Sequence, residues 1–186
     1  TWVTPTAGAL VLLASVDASD SSTVDFTGDF TSDYYTYILY FNNVKPENDD
    51  DHLGIRIRRS GEGSFDSGAS DYGNARYGRR SDGDNASADL ATGDLSYNRI
   101  PLNSGAIERG GDWSANGYVK ILTPLQATYK VFEMQITYGY TDTNNIASLN
   151  GGGARYHNTA MDGIQFLTET GTIASGNFRL YGVKNA

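Results

Sequence analysis

The chain has 186 residues, no cysteine, and 14 Lys and Arg against 22 Asp and Glu, for a net charge of −8. The lack of cysteine excludes disulfide frameworks, thiolate zinc sites and cysteine nucleophiles. The acidic balance opposes nucleic acid as a partner, because neutralising a phosphate backbone needs a concentrated basic face; only the pairs Arg58-Arg59 and Arg79-Arg80 run against it.

One domain over residues 1–186 is expected, burying roughly 70% of the unfolded chain's surface, enough for a core without metals or disulfides. Residues 1–8, with Trp2, Val3 and Pro5, read either as an N-terminal arm laid on a neighbouring molecule or as a terminus folded back onto its own domain. The longest apolar run, Ala9 to Ala14, is far short of the roughly 20 residues that cross a bilayer, and no basic segment precedes it as in a signal peptide. No membrane partner is expected.

Helical periodicity is interrupted everywhere by Gly, Asn, Asp or Ser, while period-two alternation recurs. Strands are expected at Leu10 to Val16 and Thr23 to Thr27. Tyr35 to Val44 is apolar on both faces and ends at Lys45-Pro46, as suits a covered central strand. From His52 to Arg58, Leu53, Ile55 and Ile57 point one way and His52, Arg56 and Arg58 the other, so a one-residue slip would bury arginines. Ser60 to Thr92 breaks the alternation: it is rich in Gly, Ser, Asp, Asn and Arg, with aromatics at Phe65, Tyr72 and Tyr77. Residues 60–92 therefore read as one long surface loop, and Tyr72 and Tyr77 as contact side chains, because no strand pattern demands them.

A weaker strand follows near Leu95 to Leu102, then Tyr118 to Leu122. Along Tyr129 to Thr141, Phe132, Met134, Ile136 and Tyr138 share one face and Lys130, Val131, Gln135 and Thr137 form a mixed opposite face. Strand tyrosines such as Tyr35, Tyr37 and Tyr138 read as packing residues. Gly163 to Leu167 and Asn177 to Val183 complete the set, with Thr170-Gly171 and Ser175-Gly176 bracketing the link between them. The expected fold is all-β: an antiparallel, jelly-roll-like sandwich of about eight to ten strands with one long surface loop.

Catalytic chemistry is scarce. His52 and His157, the two histidines, read as exposed or edge residues, and no His-Glu-x-x-His, Gly-x-Ser-x-Gly or phosphate-binding loop occurs. Asp112 beside Trp113, and Glu133, are the carboxylates considered for glycoside hydrolysis, and a turn aspartate and a sheet-surface glutamate are the preferred readings. The run Glu47-Asn48-Asp49-Asp50-Asp51 offers oxygens to calcium but lacks the spacing and central glycine of an EF-hand loop, so a solvated turn is preferred. No catalytic residue, cofactor or metal is assigned, and an enzyme is not expected.

The segments Leu10-Val11-Leu12-Leu13-Ala14-Ser15-Val16-Asp17-Ala18-Ser19, Ser22-Thr23-Val24-Asp25-Phe26-Thr27 and Tyr37-Ile38-Leu39-Tyr40-Phe41-Asn42-Asn43-Val44-Lys45-Pro46 resemble a group of small tailed-bacteriophage structural proteins. So do Met161-Asp162-Gly163-Ile164-Gln165-Phe166 and Gly171-Thr172-Ile173-Ala174-Ser175-Gly176-Asn177-Phe178-Arg179-Leu180-Tyr181-Gly182-Val183. The matches cover about the first third and the last quarter of the chain; Ser60 to Asn158 departs most from the pattern. The resemblance implies a jelly-roll-like sandwich on the exterior of a virion, as capsid decoration or cement, head fibre or tail-fibre tip, and brings no catalytic residues. Decoration by a homotrimer seated on the major capsid protein is the first expectation. Recognition of a host surface glycan at a tail fibre or spike, through Tyr72, Tyr77 and polar loop side chains, is the alternative.

Overall fold

The computed structural model describes residues 10–81, 92–105, 107, 113–140 and 145–184. Its elements are all strands: β1 (Leu10–Ser21), β2 (Thr23–Thr27), β3 (Tyr34–Pro46), β4 (Leu53–Arg59), β5 (Tyr72–Arg80), β6 (Thr92–Tyr97), β7 (Ile100–Pro101), β8 (Ala115–Leu122), β9 (Lys130–Tyr140), β10 (Asn145–Arg155), β11 (Met161–Thr168) and β12 (Ile173–Lys184). They form two antiparallel sheets, ordered β1-β12-β3-β8-β9-β10-β5-β6 and β2-β11-β4-β7.

Four nested pairings define the topology: β1 with β12, β2 with β11, β3 with β8 and β4 with β7. Successive pairs alternate between the sheets, as when one long antiparallel hairpin is wrapped around a core. That is a jelly roll. Two hairpins are inserted into it, β5–β6 between β4 and β7 and β9–β10 between β8 and β11. They join through β10 and β5 and extend the first sheet well past its partner.

The core lies between the four-stranded halves. Tyr37, Leu39 and Phe41 of β3, Val119 and Ile121 of β8, and Phe178 and Leu180 of β12 meet Val24 and Phe26 of β2, Leu53, Ile55 and Ile57 of β4, and Ile164 and Phe166 of β11. Phe166 sits 5.3 Å from Phe41 and 5.0 Å from Phe178, ring centre to ring centre, and so ties the two sheets together. Each such buried side chain contributes about 1.5–3 kcal/mol relative to exposure. Under the extension, Phe132, Met134, Ile136 and Tyr138 of β9 and Ala147 and Leu149 of β10 join the same core, together with Ile100, Leu102 and Ile107 from the segment after β6.

The sandwich, its antiparallel order and the inward face of β4 agree with the sequence expectation, and several particulars differ. Residues 60–92 are not one long loop, because Tyr72–Arg80 forms β5 inside the larger sheet. A Gly-rich strand, β10, lies where the alternation predicts none, and twelve strands are found among the described residues rather than eight to ten. Lys130 is turned inward with Phe132, its ammonium capped by the carbonyls of Gln126 and Thr128; burial lowers its pKa. Tyr35 is exposed, unlike Tyr37 and Tyr138. Gly171 takes φ +65 in the turn before β12, whereas Ser175-Gly176 lies inside β12 at a register shift.

Candidate contact face and polar cavity

Alternation that sends one half of each strand inward leaves the other half on an outer face, and the two outer faces differ in chemistry. Across the eight-stranded sheet the register sets side chains in rows. Leu10, Val183, Thr36, Leu122 and Val131 stand in one; Leu12, Tyr181, Ile38, Lys120 and Glu133 in the next; Ser15, Arg179, Tyr40, Tyr118 and Gln135 in the third. Tyr40 contacts Tyr118 and Tyr181 edge to face, with ring centres 6.1 and 5.8 Å apart. Leu10, Leu12 and Val131 are exposed, Leu12 at 52%. The Lys120 ammonium and Glu133 carboxylate, 2.9 Å apart, neutralise each other within the second row.

The outer face of the smaller sheet is polar and internally paired. Gln165 of β11 stands between Asp25 of β2 and Arg56 of β4, donating to Asp25 at 3.1 Å. Arg56 donates to the Asn98 carbonyl at 3.0 Å, and Arg58 to Asp162 at 2.7 Å. Contiguous exposed apolar surface marks contact sites more often than scattered apolar residues do, so the larger sheet carries the candidate contact face.

The residues proposed as contacts from sequence fall in three places. Trp2, Val3 and Pro5 lie outside the described residues. Tyr77, on the outer face of β5 opposite Asn150, is 69% exposed. Tyr72 is fully buried and is not a surface contact: its hydroxyl donates to the Asp66 carbonyl at 2.9 Å and accepts from the Ile57 amide at 2.8 Å, and burial raises its pKa. It faces inward because it belongs to a strand rather than a loop. Beside it, Arg155 pairs with Asp66 at 2.7 Å and Asp71 at 3.0 Å, and Arg59 with Asp66 at 3.0 Å; both Arg155 and Asp66 are buried. This network fixes the crossover from β4 to β5.

A polar cavity of about 210 Å³ opens where the smaller sheet stops at β7 and the larger continues to β5. His52, Arg76, Arg99, Pro101, Asn103, Ser104 and Glu169 line it. Asn103 organises the wall: its side-chain oxygen accepts from the Leu53 amide at 2.8 Å, its amide donates to the Gly105 carbonyl at 2.6 Å, and the same nitrogen lies 3.1 Å from His52 Nδ1. Arg76, turned inward on β5, donates to Asn74 Oδ1 at 3.0 Å and to the Asn103 carbonyl. Arg99 lies over Gly54, where a Cβ would come within 2.5 Å of its Cδ, and pairs with Glu169 at 3.0 Å. His52 is thus half-buried on a cavity wall rather than on the solvent side of a strand. Arg76, Arg99 and Asn103 carried no sequence signal, since they come from three separate segments.

The acidic run after Pro46 is a built turn. The buried Asp51 carboxylate accepts from the Glu169 and Thr170 amides at 3.1 and 3.2 Å, and Glu47 accepts from the Thr172 amide at 2.9 Å. Among the described residues no three His, Asp or Glu side chains are grouped to hold a metal ion. Glu133 is the sheet-surface glutamate paired with Lys120, and Asp112 lies outside the described residues. Among them no helix is long and apolar enough to cross a membrane.

No protein-family model matches the chain, and no curated protein matches it. Among solved structures, an aerolysin-like protein from Bombina maxima aligns over 87% of this chain and 88% of that one, at 11% identity and a TM-score of 0.14. A likeness that weak carries no argument.

Proposed function

We propose that the chain is a non-enzymatic virion structural protein, a capsid decoration or cement protein on the exterior of a phage head. It acts as a homotrimer bound to the major capsid protein through the outer face of the eight-stranded sheet. The supporting observation is the set Leu10, Leu12, Val183, Tyr181, Ile38, Tyr40, Tyr118, Leu122 and Val131, which makes this face largely apolar between Thr36, Lys120 and Arg179, where the opposite sheet is polar. Aromatic side chains in such a patch supply contact area at low entropic cost, and contacts made only in the assembled shell stabilise that shell by mass action.

The reading is tested by adding purified protein to undecorated shells and sedimenting them. Tyr181→Lys is expected to abolish co-sedimentation while Arg56→Glu on the opposite sheet leaves it intact; equal binding of both variants overturns it. A second reading, a glycan-recognising domain at a tail fibre or spike, is favoured by the polar cavity and by the exposed Tyr77. Copy number separates the two: hundreds of copies on the head support cement, a few at the tail support recognition.

A further inference from the structure

Toward its β5 end the outer face of the eight-stranded sheet changes character. The register places Asn116, Thr137, Ser148 and Arg79 in one row across β8, β9, β10 and β5, and Tyr118, Gln135, Asn150 and Tyr77 in the next. All eight residues are half-exposed or exposed, and Arg79 is the one charged residue among them. The outer face of the smaller sheet, in contrast, carries the charged residues Asp25, Arg56 and Arg58, each held by a partner. A protein partner gains most from an apolar centre, whereas the centre of these rows is Thr137, Ser148, Gln135 and Asn150.

Aromatic rings bound this strip of amides and hydroxyls. Tyr118 and Tyr77 close the second row, Tyr77 at 69% exposure. Two residues beyond Thr137 on β9, the half-exposed Trp113 lies over Gly139, where a Cβ would come within 2.5 Å of the indole. Glycine at that point is what seats the indole on the sheet. Beside it opens a cavity of about 250 Å³, with Trp113, Ser114, Asn116, Thr137 and Ile146 in its wall. The Asn116 side chain is already oriented: its oxygen accepts from the Asn43 amide at 2.8 Å and its nitrogen donates to the Ser114 hydroxyl at 3.2 Å.

We infer that this strip binds an uncharged glycan chain lying across the four strands. Amides and hydroxyls both donate and accept, which matches the neighbouring hydroxyls of a sugar, while Trp113, Tyr118 and Tyr77 take the apolar C–H faces of the rings. With strands ~4.8 Å apart, β8 to β5 spans about 15 Å, room for about three sugar units. A single arginine in a chain of net charge −8 gives no preference for an acidic glycan. The inference rests on the glycan-recognising reading and gives it a site on the sheet rather than in the cavity beside β7. It does not depend on contact with a particle through β1, β12 and β3.

The test is calorimetric titration of the full chain with cellohexaose, maltohexaose, mannohexaose, glucose and a hyaluronan hexasaccharide. At least one neutral hexasaccharide is expected to bind with Kd on the order of 0.1 mM, and glucose and the acidic hexasaccharide at least about tenfold more weakly. Trp113→Ala and Asn150→Ala are each expected to weaken that binding by about tenfold. Gln165→Ala on the smaller sheet is expected to leave it unchanged. Because Asn150 is half-exposed, its variant is expected to keep the native melting curve. Full-strength binding by both folded strip variants overturns this site and leaves glycan recognition standing. No binding of any neutral hexasaccharide overturns both, and equal or tighter binding of glucose or of the acidic hexasaccharide overturns the assignment of an uncharged chain.

Discussion

On the outer face of the four-stranded sheet, Gln165 holds Asp25 and Arg58 holds Asp162. On the outer face of the eight-stranded sheet, Ile38, Tyr40, Tyr118 and Tyr181 stand side by side. Both sheets obey one rule toward the core, so the rule cannot account for the contrast. A solvated face can hold its polar groups with partners on the same sheet; an apolar face of this extent gains by being covered. What the outward half of an alternating strand is made of therefore carries functional information that the inward half does not.

The largest expected effect comes from striking what both faces share. Leu180 is fully buried on β12, and Leu180→Asp places an unpaired carboxylate in the core, at a cost of about 4 kcal/mol or more. No folded protein is expected by circular dichroism at room temperature; a melt within a few degrees of the native chain contradicts the inward register of β12. Next is Arg155→Ala, which removes a buried partner of Asp66 and is expected to cost about 3 kcal/mol in denaturant unfolding, Arg59 remaining as partial compensation. An unchanged midpoint would mean the network does not hold the β5 extension.

A third measurement separates inward from outward tyrosines. Burial pushes the Tyr138 hydroxyl up from 10.0 to about 12. Below pH 10 Tyr138 is neutral in both folded and unfolded chains; above it the unfolded chain ionises first, so the folded state loses stability up to about pH 12. The loss attributable to this residue is roughly 2–3 kcal/mol, and Tyr138→Phe is expected to flatten the pH dependence of unfolding in that window. The same dependence in the variant would contradict it. The smallest effect on stability, within about 0.5 kcal/mol, is expected for Tyr77→Ala on the exposed face of β5. Native particle occupancy in this variant takes β5 out of the interface and confines the contact to the β1-to-β9 part of the sheet.

The jelly-roll half was legible because its strands alternate large apolar with polar residues: Leu53, Ile55 and Ile57 announce their register, as do Phe178 and Leu180. The extension was not, for two reasons. On β10 the inward positions include Gly151 and Gly153, where a Cβ would meet the Ala75 carbonyl at 2.4 Å and the Ile100 side chain at 2.6 Å. Close approach there requires the absence of the side chains that would have displayed the pattern. On β5 the inward residues Asn74 and Arg76 are polar, and Arg76 lines the cavity beside β7, the last strand of the smaller sheet among the described residues. Read by alternation alone, such a strand looks like a loop, and Tyr72, its buried anchor, looks like a surface tyrosine. The contact face could be read from sequence once register was known; the cavity could not, because His52, Arg76, Arg99 and Glu169 converge only through the fold.

The most direct test of the proposed assembly role is an electron cryomicroscopy map, at side-chain resolution, of a particle that carries the chain. Tyr40, Tyr118 and Tyr181 are predicted to lie against a capsid subunit or a second copy of the chain, with Asp25, Gln165 and Arg56 facing solvent. A map in which the three tyrosines are open to solvent in every copy, whichever part of the particle carries them, contradicts the account.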